Sequence, residues 1–537
     1  MKMVKSLLLG SAAGLVAVSA GQAADLPVKA KPVEYVKVCS LYGAGFYYIP
    51  GTDTCIKIGG FLRTEVNVHA FGSFSTFLAG GNALQTRTED DYVARARGSL
   101  TADVREQTSY GTLRAYLAAG WQYSTDDAPT VSLPGVQALA SSATSTLPGS
   151  STNGNTYMLR AFIQWGGFTF GKTASFFDFI NTSKYSNQTN QMFQDFGGNG
   201  IITWGYTQQL GNGMGATIAL QDVSPFERPI NQFNGVGGND FLDVGTGGAL
   251  PSSSFTSGTL VPDIVGSFRI DQAWGGAQIA AAGHDNRANY YSLPSLAAEE
   301  EGFTLTPGLN NADHPSDKWG WAVQGGFELN LGTLAPNWFN KADTFAVQAA
   351  YCDGTSFYCF NTGGTRLTDV GFSLFNPGKI GLGFITDAYF TGFNGQSNDL
   401  QLSRSWNVVA AIQHYWWPEL RTSLYGMYFN YKADSSVVDT NVCAVLNQGH
   451  SFGEIHGSSA VSPTGCADWA AWQVGSRTVW NPVKNLDLSV EAMYTSMAKT
   501  AFSGATATIA VPVANVVPVG DTHIWSGIAR IQYNFYP

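Results

Sequence analysis

The stretch Ile56-Lys57-Ile58-Gly59-Gly60-Phe61-Leu62-Arg63-Thr64-Glu65-Val66-Asn67-Val68-His69-Ala70 sorts its side chains by parity. Ile56, Ile58, Leu62, Val66 and Val68 fall on one side; Lys57, Arg63, Glu65, Asn67 and His69 fall on the other. Successive residues of a strand point to opposite faces, whereas a helix would scatter both sets around its circumference. One apolar and one polar face is what a wall between lipid and water requires.

The pattern recurs outward along the chain. In Thr112 to Tyr123, Leu113, Ala115, Leu117, Ala119, Trp121 and Tyr123 oppose Thr112, Arg114, Tyr116 and Gln122. Trp319 to Asn330 and Leu486 to Thr495 alternate in the same way, and further segments begin near Tyr92, Tyr157, Ile201, Gly213, Asp263, Ala277, Thr344, Ser405, Glu419, Trp469 and His523. Tight turns such as Ser109-Tyr110-Gly111, Gly166-Gly167 and Gly211-Asn212-Gly213 alternate with long polar connections, roughly 71–91, 124–155, 223–262, 286–318 and 432–468. Short turns at one end and long loops at the other are the habit of transmembrane barrels, which a soluble sandwich has no need of. Trp121, Tyr123, Tyr157, Trp406, Trp416, Trp417, Trp480 and Tyr494 lie at strand ends, where an interfacial aromatic belt belongs.

The fold class that follows is all-β: a transmembrane antiparallel up-and-down β-barrel with long outer loops. Sixteen strands are expected if Asp353 to Leu402 is one outer excursion. Eighteen result if Thr368 to Phe375 and Lys379 to Thr386 add a hairpin to the wall. Composition agrees: glycine (62) and aromatics (13%) are abundant, and charged residues (13%) are about half the share of a soluble protein. Beyond the N-terminus there is no apolar run of about eighteen residues, the length a spanning helix needs.

The first residues set the compartment. Lys2 and Lys5 precede the apolar or small stretch Leu7 to Ala20, and Gly21-Gln22-Ala23 offers a cleavage site, so residues 1–23 read as an export signal. The rest divides into an N-terminal segment, 24–55, and a barrel, 56–537. Formal charge is −10, or −12 without the two signal lysines, which argues against nucleic acid as a partner. Acidic outer loops suit a surface facing divalent cations and lipopolysaccharide, with outer-membrane lipid against the wall. Six cysteines form three close pairs: Cys39/Cys55, Cys352/Cys359 and Cys443/Cys466. In an oxidising periplasm local pairing is the simplest of fifteen connectivities, although sequence alone leaves the others open. None of the pairs has metal-site spacing, and neither a metal nor a cofactor is expected.

The residues Val36-Lys37-Val38-Cys39-Ser40-Leu41-Tyr42-Gly43-Ala44-Gly45-Phe46-Tyr47-Tyr48-Ile49-Pro50-Gly51-Thr52-Asp53-Thr54-Cys55-Ile56-Lys57-Ile58-Gly59-Gly60 closely resemble the start of alphaproteobacterial porins. Ala24-Asp25-Leu26-Pro27, Ala388-Tyr389-Phe390-Thr391-Gly392, Gln413-His414-Tyr415-Trp416 and Arg421-Thr422-Ser423-Leu424-Tyr425-Gly426 extend the resemblance over most of the chain. It implies a homotrimeric, sixteen-stranded general-diffusion porin of the outer membrane, with the third outer loop folded into the lumen. Two departures stand out: the outer loops are enlarged, and Tyr536-Pro537 follow the terminal Phe535.

Permeation needs a wet constriction whose charges change the cost of moving a solute. By parity Arg95, Arg97 and Arg105 share one face, and Arg63, Arg114 and Arg160 also fall on polar faces. Six arginines are therefore expected to line one sector of the lumen. The connection from about Thr173 to Gly200 carries Asp178, Tyr185 and Asp195. Folded inward, as the resemblance implies, its carboxylates are expected to face the arginines and set up a transverse field for ions and small hydrophilic solutes. A solute-selective channel, with a sugar track of Tyr116, Phe162 and Tyr185, is the alternative; a surface-binding barrel is a third reading. No nucleophile elbow, phosphate loop or HExxH motif supports an enzyme.

Overall fold

The computed structural model describes residues 37–68, 78–79, 92–125, 155–188, 200–233, 256–289, 314–360 and 370–535, apart from 377, 394–395, 398, 434–435, 453–454 and 511–513. The expected signal, residues 24–36, Asp195 and Tyr536-Pro537 lie outside this set.

Sixteen antiparallel strands close into one barrel. They are β1 (Cys55–Val68), β2 (Tyr92–Thr108), β3 (Gly111–Ser124), β4 (Asn155–Trp165), β5 (Phe168–Thr173), β6 (Ile201–Gly211), β7 (Met214–Asp222) and β8 (Asp263–Gln272), then β9 (Gly275–Asn286), β10 (Lys318–Asn330), β11 (Thr344–Asp353), β12 (Arg404–Trp417), β13 (Leu420–Lys432), β14 (Trp469–Trp480), β15 (Leu486–Lys499) and β16 (Thr522–Asn534). Each strand pairs with its sequence neighbours, and β1 pairs with β16 from Phe61 opposite Asn534 to Val68 opposite Gly527. No described helix is long and apolar enough to cross a membrane; the crossing is made by strands.

The parity read from β1 is the parity of the wall. Ile58, Leu62, Val66 and Val68 are exposed on the outside while Glu65 and Asn67 are buried inside. At the seam Phe535 donates its backbone N–H to the Gly60 carbonyl at 3.0 Å, and its ring lies over that residue. A Cβ at Gly60 would stand 2.9 Å from the ring and 2.1 Å from the Ser99 carbonyl, so this position tolerates no side chain. The expected turn Gly211-Asn212-Gly213 takes three positive φ angles, 86°, 50° and 71°, joining β6 to β7.

The aromatic belt is present: Trp121, Tyr123, Trp406, Trp416, Trp417 and Trp480 are exposed, and Tyr494 packs against Trp472 and Trp525 at 5.2 and 5.0 Å. Tyr157 is a correction. A bulge puts Ala118 opposite Arg160 and Ala119 opposite Met158, leaving Leu159 as the extra residue. That residue flips the parity on its N-terminal side, so Met158 faces lipid. Tyr157 turns inward, donating its hydroxyl to the Gly98 carbonyl at 2.8 Å.

The 370–384 hairpin forms, Val370–Asn376 against Lys379–Phe384, but stands apart from the wall. It packs inside it: Gly383 lies against Trp469 and Gly381 against Met497, both inward residues of the outer half of β14 and β15. Phe357, Phe360, Phe384, Phe429, Tyr431, Met493 and Phe502 join the same continuous apolar cluster. The outer excursions thus fold into the mouth and fill much of it, with disulfides Cys352–Cys359 and Cys443–Cys466 stapling them. The third disulfide, Cys39–Cys55, closes the segment before β1.

An arginine placed on the lipid face of β15, Val490→Arg, is expected to cost about 2–4 kcal/mol if the site lies near mid-membrane. The lumen-facing Gln209→Arg, opposite Gly215, should fold with near-normal yield. Urea unfolding in bilayers measures both; equal losses would refute the inside–outside assignment.

Candidate permeation pathway

The inner face of β1–β4 and β16 concentrates positive charge. It carries Lys57, Arg63, Arg95, Arg97, Arg105, Arg114, Arg160 and Arg530 against two carboxylates, Glu65 and Asp103. Register explains the clustering: Arg63 pairs with Arg97, Glu65 with both Arg95 and Arg530, and Arg105 with Arg114. Cross-strand neighbours on one face sit about 4.5–5.5 Å apart at Cβ, so like charges there repel and need an acid or another partner to hold each in place.

Each carboxylate bridges two arginines. Asp103 accepts from Arg105 Nε and Nη2 at 2.9 and 2.7 Å, and from Arg114 Nε and Nη2 at 3.0 and 2.9 Å. Glu65 accepts from Arg530 Nε at 2.7 Å and pairs with Arg95. Arg95 and Glu65 are almost wholly buried, so this arginine braces the wall rather than wetting the lumen. Aromatic rings hold others: Arg97 lies 3.8 Å from the Tyr157 ring, and Arg114 lies 5.1 and 5.4 Å from Tyr116 and Phe162. Arg63 Nε donates to Gln532 at 2.8 Å, and Arg160 Nη1 to the Leu159 carbonyl at 2.6 Å.

The described part of the third outer connection, 174–188, tracks the opposite wall strand by strand. Ser175 donates to Gln221 on β7 at 2.8 Å, and Gln278 on β9 donates to the Phe177 and Asp178 carbonyls, both at 3.1 Å. The Phe179 ring lies 5.3 Å from Arg269 on β8, and the Ile180 N–H reaches Gln348 on β11 at 2.9 Å. Lys184 and Tyr185 converge on Glu328 of β10 at 2.6 and 2.7 Å. Arg477 on β14 donates to the Ser183 carbonyl at 3.0 Å. Glu491 on β15 then accepts from Ser186 Oγ at 2.5 Å, from the Asn187 N–H at 2.6 Å and from the Tyr425 hydroxyl. Arg530 on β16 donates to Asn187 Oδ1 and its carbonyl at 2.9 and 2.7 Å.

Residues 174–188 therefore lie along the wall from β7 to β16, across the lumen from the arginines of β1–β4. Asp178 lies at β9, eight strands from β1 in a ring of sixteen, across the lumen from the arginines. Tyr185 is buried in the loop–wall contact; burial raises its phenol well above the ordinary range, so it stays a donor to Glu328. Arg477, Arg530 and Glu491 were not singled out from sequence, although the parity of their strands already points each inward. Their partners, some three hundred residues away in the chain, carry no sequence signal.

A closed sixteen-stranded barrel with a charged lumen is a channel of the outer-membrane class. A family profile described as "Porin subfamily" matches residues 25–528, and the chain belongs to that family. Porin Omp2b of Brucella neotomae is 29% identical over 370 residues, covering 65% of this chain and 85% of that protein. Porin Omp2b of Brucella abortus (strain 2308) is 28% identical over the same length. Among solved structures, the outer membrane channel DcaP of Acinetobacter baumannii superposes with a TM-score of 0.51 at 13% identity, over 91% of this chain and 99% of that one, a likeness of fold. The protein is an outer-membrane porin.

Glu491→Gln puts an amide donor where three donors converge, a mismatch of about 1–3 kcal/mol. We expect noisier currents in planar bilayers and faster proteolysis within 174–188. Wild-type noise together with wild-type protection would show that Glu491 does not hold the loop.

Proposed function

We propose that ions and small hydrophilic solutes diffuse passively through the passage between the third outer loop and the arginine sector, with a preference for anions. The observation that carries this reading is the division of the lumen. Residues 174–188 lie along β7 to β16, while the inner face of β1–β4 with β16 sets eight cations against two carboxylates. A low-dielectric wall with excess charge of one sign raises the local concentration of counter-ions and lowers their entry cost. Arg63, Arg97, Arg105, Arg114 and Arg160 form the pathway side, Arg95 braces it through Glu65, and Asp178 contributes the opposing charge. The outer mouth, filled over β13–β15, narrows the route further than an open barrel of this size.

Replacing Arg63 and Arg97 together with glutamine should move the reversal potential in a salt gradient toward cation preference. Swelling rates of liposomes in neutral sugars should stay the same. An unmoved reversal potential would remove these arginines from the selectivity-setting group.

A solute-selective reading has one observation in its favour: the Tyr116 and Phe162 rings stack at 5.2 Å and 23° inside the lumen, beside Arg114. Conductance block that saturates with one class of sugar would favour it, whereas linear, size-limited flux favours general diffusion.

We also infer a homotrimer, resting on the family and on the small outward residues Ala94, Ala96, Gly98, Ala102, Ala115 and Ala119 of β2 and β3. Such residues let barrel walls approach closely. Native mass spectrometry of detergent-extracted protein should give three copies; a monomer mass would overturn the assembly.

A further inference from the structure

The N-terminal motif has no part in the constriction, yet it is built into the lumen. β1 runs on below the seam, because β16 pairs with it only from Phe61 upward. Tyr47 and Tyr48 take up the edge left open, pairing with Ile56 and Cys55. The segment is folded on itself by Cys39 N–H to the Phe46 carbonyl (3.0 Å) and Tyr48 N–H to the Lys37 carbonyl (2.9 Å). Cys39, Phe46 and Cys55 form a small buried cluster with Tyr42 and Tyr48 against it.

The side on which this cluster lies is decided by its contacts. Lys57 and Arg105 project from β1 and β2 into the lumen near the periplasmic turns. The Phe46 ring lies 4.9 Å from the Arg105 guanidinium and 6.0 Å from the Lys57 ammonium, with Tyr42 at 5.7 Å from Arg105. Lys57 also donates to the Ala44 carbonyl at 3.4 Å. The disulfide-closed segment therefore doubles back onto the lumenal face. Arg105 lies beside both rings and is forked onto Asp103, which it shares with Arg114; both arginine side chains remain 27% exposed.

We propose that the segment closed by Cys39–Cys55 is a second selectivity element at the periplasmic exit, in which Phe46 and Tyr42 orient Arg105 within an anion-attracting cluster with Arg114, Asp103 and Lys57. A guanidinium held beside a ring and forked onto a carboxylate has its direction fixed. The same rings occupy part of the exit, so that the field of three cations against one carboxylate acts over a narrower opening. Phe46 is a positioning residue: it acts on solutes through Arg105. The proposal rests on the diffusion reading only in requiring a wet lumen.

The test uses the full chain in planar bilayers. Phe46→Leu keeps the buried cluster filled but removes the ring. We expect the anion-over-cation permeability ratio to fall about two-fold, the scale of one exposed cation–π contact, with conductance raised. Phe46→Tyr, which keeps a ring, should retain the wild-type ratio. A Phe46→Leu channel with wild-type ratio and conductance would overturn the proposal, as would an equal fall in both variants. If Phe46→Leu does not fold, a thiol reductant is added to the periplasmic side of inserted wild-type channels until peptide mapping of the labelled protein finds Cys39 and Cys55 free and the other two disulfides intact. A lowered ratio then supports the proposal and an unchanged one overturns it. Folded wild-type protein that conducts nothing would instead strike the diffusion reading.

Discussion

Lipid offers no hydrogen bonds, so every backbone N–H and C=O in the wall must find a partner within the protein, and only ring closure achieves that for strands. Here closure rests on the seam between β1 and β16. β16 ends six residues short of the start of β1, and the exposed edge is finished by Phe535 on Gly60 and by Tyr47–Tyr48 on Cys55–Ile56. The N-terminal segment is thus part of the closure, which places Phe46 against lumenal charge. Two functions meet at one joint: completing the wall and shaping the exit.

Closure also fixes what faces inward. In an even-numbered antiparallel ring every second residue is committed to the lumen, whatever its chemistry. On β1–β4 many of those residues are charged, arginine above all. On the outer half of β13–β15 they are Met427, Phe429, Tyr431, Trp469, Met493 and Met497, which water would not favour. The outer excursions supply what these residues need, bringing Phe357, Phe360, Leu382 and Phe384 onto them. The enlarged loops are accordingly a filling of one side of the mouth, and their disulfides hold that filling in place.

The sequence makes the wall legible and the lumen only partly so, for a physical reason. Strand parity is local: it needs a few residues and one apolar environment, and it places Arg63, Arg97 and Arg114 inward without any tertiary knowledge. It fails at Tyr157 because a single bulged residue, Leu159, costs little backbone pairing and leaves no compositional mark. The eighteen-strand alternative turned on a real hairpin whose sequence alternates no differently from a wall strand. What excludes it from the wall is its docking on Trp469 and Met497, a long-range contact. The seat of the third loop is equally remote: Ser186 and Glu491 are 305 residues apart.

The placing of the two acids in the arginine sector follows from the cost of buried like charges. Arg95 and Arg530 flank Glu65 on neighbouring strands, and without it two guanidiniums would face each other out of water. Glu65 lies on β1 and Arg530 on β16, so this ion pair crosses the closing seam. Arg530 in turn holds Asn187 of the third loop. Wall closure, arginine sector and loop tip therefore share one guanidinium. A change of charge at Glu65 acts on all three at once, whereas a change at Arg97, which rests on the Tyr157 ring, acts on the pathway alone. Selectivity is open to adjustment by substitution at such ring-held arginines, and the bridged ones are constrained by the fold.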